Sequence, residues 1–382
     1  MQQGFFFFTV SLNLFRAHAP PRPRDRGPRM VSNDDSAFEE KKKSTIDALK
    51  QEYESFFKPM KDQIYDPDFQ FLDPLTTYTG RQAHKNNVEM LSGSSAIGRI
   101  LFSDCSLVMH DASSDSGSNS LTTRWTLGFR FNLLPWKPMA QFTGVSEYTL
   151  DGNARLLRQQ DFWDSVNLEA GGEYASKSKL GALLDLLQQF APGEQSALAA
   201  SERELPYQLL RRARKYEVRR YPQHIAVETE YDRRVDAFGT LGAYTGGANE
   251  ASTQLVPYVP ALMSIPRAGD SKGAKVMRWP MLVPAVERDA APPPRPSGRL
   301  DGFASLAPHP TQVVAVLSFS DPTTEPTVRG YATYLRSLVE QDGLSVDEDF
   351  ESGAFRLAQY DALNSFKTRR SEVWIPLRDH PW

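Results

Sequence analysis

The 382-residue sequence predicts an α+β protein with two folded domains. In residues 41–165, apolar residues first recur at helical spacing and then alternate as they do in strands. Residues 203–382 give the order strand, helix, strands twice over, which predicts a pseudo-symmetric closed antiparallel sheet flanked by two helices. A chain of 382 residues with 40% hydrophobic and 24% charged residues has the size and composition of a globular protein of two or three domains.

The first domain is predicted to begin with an amphipathic helix. Ser44 and Asp47 resemble a capping box, and apolar residues then recur at three- and four-residue spacing as far as Ile64. A second helix is predicted over Arg81–Leu91. The strands of a curved antiparallel sheet are predicted over Trp125–Phe131, Gln141–Thr149 and Leu156–Trp163.

Residues 166–202 are predicted to link the domains through a short helix within Ser176–Phe190. One side of this helix carries Leu180, Leu183, Leu184 and Leu187. Because four leucines on one face are unfavourable in water, we expect the helix to dock on one of the domains. The break in the linker is expected within residues 191–200.

Residues 1–40 are predicted to be disordered, and the first 32 of them to form a transit peptide. These 32 residues hold five arginines but only Asp25 as an acid, a composition that fits a plastid or mitochondrial transit peptide. The apolar run Phe5–Phe15 is too short to cross a bilayer, and no basic residue precedes it as in a secretory signal. A disordered extension, or translation that begins at Met30, is the alternative.

Charge and cysteine content exclude several classes of protein. A net charge of −3 and a pI near 6.1 argue against a nucleic-acid binder. Cys105 is the single cysteine, which excludes an internal disulfide and a thiolate metal cluster. No apolar run is long enough for a transmembrane segment, so we expect a chain without one.

The stretch Lys215–Asn249 organises the second domain. Alternating residues on either side of Pro222 predict two strands joined as a hairpin, and a helix that ends near Gly246 follows them. One face of that helix is flat, and small residues there allow either close packing on a sheet or space for a planar ligand. The basic residues around this stretch would attract an acidic ligand. The flat face consists of Val235, Phe238, Gly239, Gly242 and Ala243.

The sequence contains none of the common catalytic motifs that would support an enzymatic function. The sequence contains no HExxH, CxxC, GxSxG, Walker or dinucleotide-binding pattern. His84, Asp104, His110 and Asp111 have the residue types needed for acid–base chemistry, but their spacing does not show that they converge. We interpret His84 as a helix residue among polar neighbours, and His110 and Asp111 as solvated charges before a Ser- and Gly-rich loop. Binding is favoured over turnover.

Blocks in the second half of the chain resemble the SOUL haem-binding family. They are ELPYQLLRRARKYEVRRYPQHIAVETEYD, the helix ending YTGGAN, VAVLSF, the helix through YLRSLVEQDGL, FRLAQYD and RRSEVWIPL, in that order over residues 203–377. The resemblance implies a distorted antiparallel β-barrel flanked by two helices over residues 203–382, and binding of haem or another tetrapyrrole.

The first half resembles an uncharacterised domain of the cone-shaped, nuclear-transport-factor-2-like (NTF2-like) type. The resemblance is carried by DQIYDPDFQFLDPLTTYTGRQ, WKPMAQFTGVSEY and QQDFWDS. It implies an α+β cone over residues 41–165, and such domains precede SOUL domains in plants and algae.

The resemblance also implies where the tetrapyrrole binds. In relatives the flat face of the first SOUL helix contacts haem, and a basic residue just before the helix tyrosine takes part, whereas this chain has Ala243 there. The cations expected to pair with propionates are therefore Arg220, Arg233, Arg234 and Lys367, and Tyr360 completes the set of candidate contacts. His224 is a weak candidate for an iron ligand, and we interpret it as an exposed histidine at a turn.

Two functions follow as hypotheses. The first is a non-catalytic tetrapyrrole carrier, buffer or signalling protein in a plastid, either in the stroma or in plastid lipid-associated bodies, with the cytoplasm as the alternative location. The second is an interaction scaffold with a degenerate pocket, whose N-terminal domain self-associates or docks a tetrapyrrole-pathway enzyme. Titration with haem separates the two.

Overall fold

The computed structural model describes residues 33–192, 203–269, 274–360 and 370–382. The predicted transit peptide and Lys367 lie outside these residues. The helices are α1 (Asn33–Glu54), α2 (Arg81–Leu91), α3 (Ala96–Leu101), α4 (Asp164–Asn167), α5 (Lys179–Phe190), α6 (Arg234–Thr245), α7 (Glu325–Gln341) and α8 (Glu348–Glu351).

The strands form two separate sheets. The first sheet contains β1 (Tyr65–Leu72), β2 (Thr77–Thr79), β3 (Phe102–Ser113), β4 (Ser120–Phe131), β5 (Met139–Leu150) and β6 (Leu156–Trp163). The second contains β7 (Gln208–Arg212), β8 (Glu217–Tyr221), β9 (His224–Glu230), β10 (Ala261–Ile265), β11 (Val276–Leu282), β12 (Ser305–His309), β13 (Gln312–Phe319), β14 (Ser345–Val346), β15 (Phe355–Gln359) and β16 (Ser371–Arg378). We call each sheet with its packed helices a domain.

The N-terminal domain has the predicted α+β order. Its strands are arranged β2-β1-β6-β5-β4-β3, and every adjacent pair is antiparallel except β1 with β6. Aromatic residues such as Tyr65, Phe69 and Tyr148 fill its core. The predicted helix over residues 81–91 and strand over residues 156–163 lie where the sequence placed them.

Two elements of this domain differ from the sequence prediction. Helix α1 ends at Glu54 and not at Ile64, because the chain turns at Phe56 and Phe57, which have φ of 51° and 57°. Strand β3 was not predicted. It is an edge strand in which none of its side chains is fully buried, so the alternation of apolar residues is weak.

Helix α5 docks on a domain as expected, but the expectation that its four leucines would be covered is wrong for the described part of the chain. Leu180 is 63% exposed and Leu187 is 54% exposed. Helix α5 packs instead through Ala182, Leu186 and Phe190, which contact the N-terminal core. Because these residues lie on the other side of the helix, the leucine face is left in solvent.

The C-terminal domain is a curled antiparallel sheet with the predicted two helices. Its strands follow the path β12-β9-β11-β10-β15-β16-β13-β8-β7, and β14 joins β16 beside that path. The predicted hairpin at Pro222 is wrong: β8 pairs with β13 and β7, whereas β9 pairs with β11 and β12. The two strands therefore diverge at residues 222–223 and lead to different parts of the sheet.

The two faces of this sheet are buried in different ways. Helices α6 and α7 cover one face with a large apolar cluster that includes Leu241 and Leu335. The opposite face carries Tyr221, Leu262 and Trp374, which are buried in a cluster that contains no residue of the described helices. The sheet therefore curls around that face, which makes it the inner face of a distorted barrel.

The inner face holds a fully buried carboxylate, Glu372. Arg219 Nη1 donates to its two oxygens at 3.1 and 3.2 Å, and Arg370 Nη2 donates at 2.9 Å. The Tyr360 hydroxyl and the Trp374 indole each donate at 2.8 Å. Burial raises the pKa of Glu372, but Arg219 and Arg370 outweigh it and lower the pKa to about 2.

The two domains join through β7. Thr126 on β4 donates to the Leu209 carbonyl at 2.8 Å, and the Arg212 amide donates to Thr143 Oγ1 at 2.7 Å. These hydrogen bonds place the edge of the C-terminal sheet against the N-terminal sheet.

Trp382 adds a second connection between the domains. Its ring lies 5.4 Å from the guanidinium of Arg124 in the N-terminal domain and 5.1 Å from that of Arg211 in β7. Asp164 accepts from Arg124 at 3.3 Å, so this junction is a buried layer of charge and aromatic surface.

Among the helices that the structure describes, none has both the length and the apolar character required to span a bilayer.

Replacing the buried carboxylate should destabilise the C-terminal domain strongly. We expect Glu372→Gln to lower the free energy of unfolding by about 3 kcal/mol, because the substitution leaves the buried Arg219 charge with less compensation. Glu340→Gln, at an exposed position on α7, is the matched control. Urea denaturation of both variants at pH 7 measures the difference.

The same carboxylate gives the stability a defined dependence on pH. Its folded-state pKa of about 2 lies below the ordinary value of 4.5, so its contribution is complete above pH 4.5 and is lost as the pH falls towards 2. The difference in stability between wild type and Glu372→Gln should therefore shrink over this range. An equal difference at pH 3 and pH 7 would contradict the assignment.

Candidate functional site

The flat face predicted from the sequence lies on α6 and is open to solvent. Val235 is 61% exposed, and Gly239 and Ala243 are exposed as well. A Cβ atom built on Gly239 or Gly242 meets no atom within 4 Å outside the helix. Close packing on a sheet, the alternative that the sequence left open, is therefore not what this face does within the described residues.

The other side of α6 fixes the helix in place. Ala237, Leu241 and Tyr244 are buried against the apolar cluster of the sheet. The Tyr244 hydroxyl donates to the Pro294 carbonyl at 2.8 Å, which ties the helix to the proline-rich loop. Asn249 donates to the Tyr244 carbonyl at 3.0 Å and holds the end of the helix. The flat face is thus presented by a rigidly anchored helix.

Phe238 lies at the edge of the flat face. Its ring is 5.9 Å from that of Trp279 on β11, so an aromatic pair borders the glycines. Trp279 was not among the predicted site residues. Alternation along β11 places Met277 and Trp279 on the same side of the sheet as α6, which is the signal that could have identified it.

The structure brings two of the predicted cations to the start of α6. Arg233 pairs with Asp236 at 2.9 Å, and Arg234 donates to the Thr323 carbonyl at 2.8 Å. Arg233 and Asp236 are both well exposed, so this ion pair can exchange partners at little cost.

Two other predicted contacts lie elsewhere. The guanidinium of Arg220 donates to Gln208 on β7 at 2.9 Å. Tyr360 lies on the inner face of the barrel, where its hydroxyl is bound to Glu372. The structure does not bring Tyr360 to the α6 face, because the sheet stands between them.

His224 is buried, and its interpretation as an exposed turn histidine is wrong. It is 7% exposed at the start of β9, and its ring stacks on that of His309 with centroids 5.2 Å apart. Burial lowers the pKa of His224 to about 4, and the nearby Arg356 and Arg278 act in the same direction. The imidazole is therefore neutral at pH 7.

The polar cluster around His224 was not predicted. Register places His309 on β12 directly opposite His224 on β9, and the neighbouring Glu228 pairs with Arg278 at 2.8 Å. Along β9, Ala226 and Glu228 alternate with apolar residues, and this alternation indicated a strand with two different faces. It could not give the partner strands.

The four acid–base candidates of the first domain do not come together. His84 contacts Tyr78, His110 contacts Thr126, and Asp104 pairs with Arg130 on the far edge of the sheet. The expectation that His84 has polar neighbours is wrong, because its side chain is 2% exposed among aromatic rings and burial lowers its pKa to about 3. Among the described residues, no group of three or more His, Cys, Asp or Glu side chains could hold a metal ion.

Comparison with solved structures gives distant similarities. A SnoaL-like protein from Jannaschia sp. CCS1 is 14% identical, covers 45% of this chain and 99% of its own, and has a TM-score of 0.28. An NTF2-like protein of unknown function from Cytophaga hutchinsonii is 11% identical over 32% of this chain and 89% of its own, with a TM-score of 0.24. The C-terminal domain of EcmrR is 13% identical over 45% and 98%, with a TM-score of 0.30. These similarities are too weak to indicate a function.

Comparison with protein families is more informative. No curated protein sequence matches the chain. Residues 43–159 match the family described as "Uncharacterized conserved protein (DUF2358)", and residues 202–376 match that described as "SOUL heme-binding protein". The resemblance found in the sequence is thereby confirmed for both halves. Residues 202–376 therefore contain a SOUL haem-binding domain, and a DUF2358 region precedes that domain.

Proposed function

We propose that this protein binds haem or a related tetrapyrrole reversibly on the exposed face of α6, without catalysis, as a carrier, buffer or signalling protein in a plastid. The observation that carries the proposal is the open surface over Gly239 and Gly242 in a domain of the SOUL haem-binding family. A planar ring can approach this surface closely, because no side chain stands on it at these two positions.

The residues around this surface fit the group. Phe238 and Trp279 supply aromatic surface at one edge, where a macrocycle would stack. Arg233 and Arg234 lie at the beginning of the helix and can exchange their present partners for propionates. When bound, haem supplies a redox-active iron and a strong absorption band.

The histidine environment favours weak ligation of iron. His224 is buried beside His309 and two arginines, and it forms part of the β9–β12 pairing and not of α6. A ring held mainly by stacking and by its propionates should bind with a dissociation constant on the order of micromolar, about −8 kcal/mol. Metal-free porphyrin should bind with similar affinity.

Substitution of Gly242 tests the site directly. Gly242→Trp should abolish haem binding, because the indole occupies the surface on which the ring would lie. The domain should unfold at nearly the same temperature, since a side chain at Gly242 meets no neighbouring atom within 4 Å. Absorbance titration with haem and thermal denaturation measure the two effects.

The chain offers a matched control for that experiment. Gly330 on α7 is also exposed, and a Cβ built there meets no atom within 4 Å. Gly330→Trp should leave binding intact, and His224→Ala should change the affinity little. If His224→Ala removes the absorption band while Gly242→Trp keeps it, the α6 site is wrong and a histidine-ligated site replaces it.

The plastid location rests on the composition of residues 1–32, which are rich in arginine and poor in acids. We expect these residues to be absent from the protein purified from its own cells. Mass spectrometry of the native N-terminus measures this. Detection of an intact Met1 on the purified protein would contradict the proposal.

Self-association is a second candidate function, and the exposed leucines of α5 favour it. Leu180, Leu183, Leu184 and Leu187 form a stripe that nothing in the described chain covers. Two copies of the same stripe can pack across a two-fold axis and bury each other. Among the other described helices, α3 also exposes two isoleucines, which adds to the apolar surface of this half of the molecule.

Charged residues in the leucine stripe should prevent such association. We expect Leu183→Glu with Leu187→Glu to convert a dimer to a monomer, as measured by sedimentation velocity. Lys177→Glu with Lys179→Glu, at exposed positions just before the stripe, is the control. A wild-type protein that sediments as a monomer at high micromolar concentration would remove this candidate.

A further inference from the structure

We propose that a cleft between the two domains is a second binding site, one that takes a planar aromatic ligand with at least two carboxylates. The cleft has a volume of about 590 Å³, within the range of roughly 300–1,000 Å³ typical of small-molecule and cofactor sites. It lies between the turn that joins β4 to β5, the end of α5, and the turn that joins β7 to β8. It is separate from the α6 face and does not depend on the function proposed above.

The walls of this interdomain cleft are fixed to one another. Arg212 of β7 donates to the Gln141 carbonyl at 2.9 Å and pairs with Asp185 of α5 at 2.5 Å. Gln189 of α5 accepts from the Gln141 amide at 2.7 Å. Both domains and α5 are thus cross-linked around the cavity, and a site of fixed shape loses little conformational entropy on binding.

Uncompensated positive charge lines the cleft. Five cations and one carboxylate contribute to the lining. Arg130 and Arg212 have partners in Asp104 and Asp185, and the single carboxylate, Glu217, is already paired with Arg219. The three cations without an acidic partner among the described residues are Lys137, Arg214 and Lys215. A surplus of three positive charges attracts a ligand with two or more negative charges.

An aromatic wall gives the cleft a preference for a flat ligand. Trp136 and Met139 are each 37% exposed, and both line the cavity. The Trp136 indole donates to the Phe190 carbonyl at 2.9 Å, which fixes the orientation of the ring. A fixed indole favours stacking of another ring, and Met139 extends the apolar surface. Cations on one side and an indole on another together select an aromatic dicarboxylate.

Charge reversal at the rim tests the proposal on the full-length chain. The probe is protoporphyrin, a planar dicarboxylate, followed by its fluorescence. We expect Arg214→Glu with Lys215→Glu to weaken the binding of protoporphyrin in the cleft at least tenfold. The control is Arg288→Glu with Arg299→Glu, which changes the net charge by the same amount at exposed positions away from the cleft. This variant should bind protoporphyrin as the wild type does.

Three further measurements distinguish binding in the cleft from nonspecific attraction by surface charge. The uncharged dimethyl ester of protoporphyrin should bind the cleft at least tenfold more weakly, and added salt should weaken binding of the free acid. Trp136→Ala should weaken binding and Trp136→Phe should restore it, because phenylalanine keeps an aromatic wall. Equal loss in the cleft and control charge reversals, or no loss in either, overturns the proposal.

The variant Gly242→Trp distinguishes this site from the α6 face. Binding that survives Gly242→Trp and is lost when the Arg214 and Lys215 reversals are added supports the cleft. If Gly242→Trp alone removes all binding, the cleft proposal is wrong and the α6 site stands. If Gly242→Trp has no effect and the rim reversals remove all binding, the cleft is supported and the α6 site is wrong.

Discussion

The curled C-terminal sheet depends on a carboxylate that is neutralised inside it. Glu372 accepts hydrogen bonds from two arginines, a tyrosine and a tryptophan, which lie in β8, in β16, just before β16 and just after β15. A buried charge is tolerated only when its partners surround it, so the strands that carry them must converge. Because Arg219 and Glu372 are far apart in sequence, this one cluster holds the early and late parts of the domain in a single barrel.

A filled interior determines where a ligand can bind. The inner face is occupied by the Glu372 cluster and by large rings such as Trp374, and the outer face under α6 and α7 is a continuous apolar core. Buried side chains therefore pack against both faces of the sheet within the described residues. The two sites proposed for binding are therefore on the exposed surface of α6 and at the junction of the two domains, where packing is interrupted.

Local patterns predicted much of the fold, and long-range pairing could not be predicted. The helix over residues 81–91, the helix at α6 and the strands on either side of Pro222 were found because apolar spacing within a few residues specifies them. Their partners were missed because the pairing of β8 with β13 joins residues 91 to 99 positions apart. The burial of His224 follows from its pairing with β12, so a local pattern typical of a turn indicated the wrong environment. For the leucines of α5 the error is the opposite one, because residues that were predicted to be covered are exposed. Apolar residues on one face of a helix do not show which face is covered.

The interdomain cleft belongs to neither domain. Its aromatic wall comes from the turn after β4, its free cations come from both that turn and the turn after β7, and α5 closes one side. The family matches end at residue 159 and begin again at residue 202, so α5 lies between them. Arg212 is decisive for the geometry, because its backbone and side chain bind β5 and α5 at once. A property that depends on the fixed relation of two domains is absent from each of them alone, and for this reason the sequence patterns of the separate halves indicated the α6 face but not the cleft.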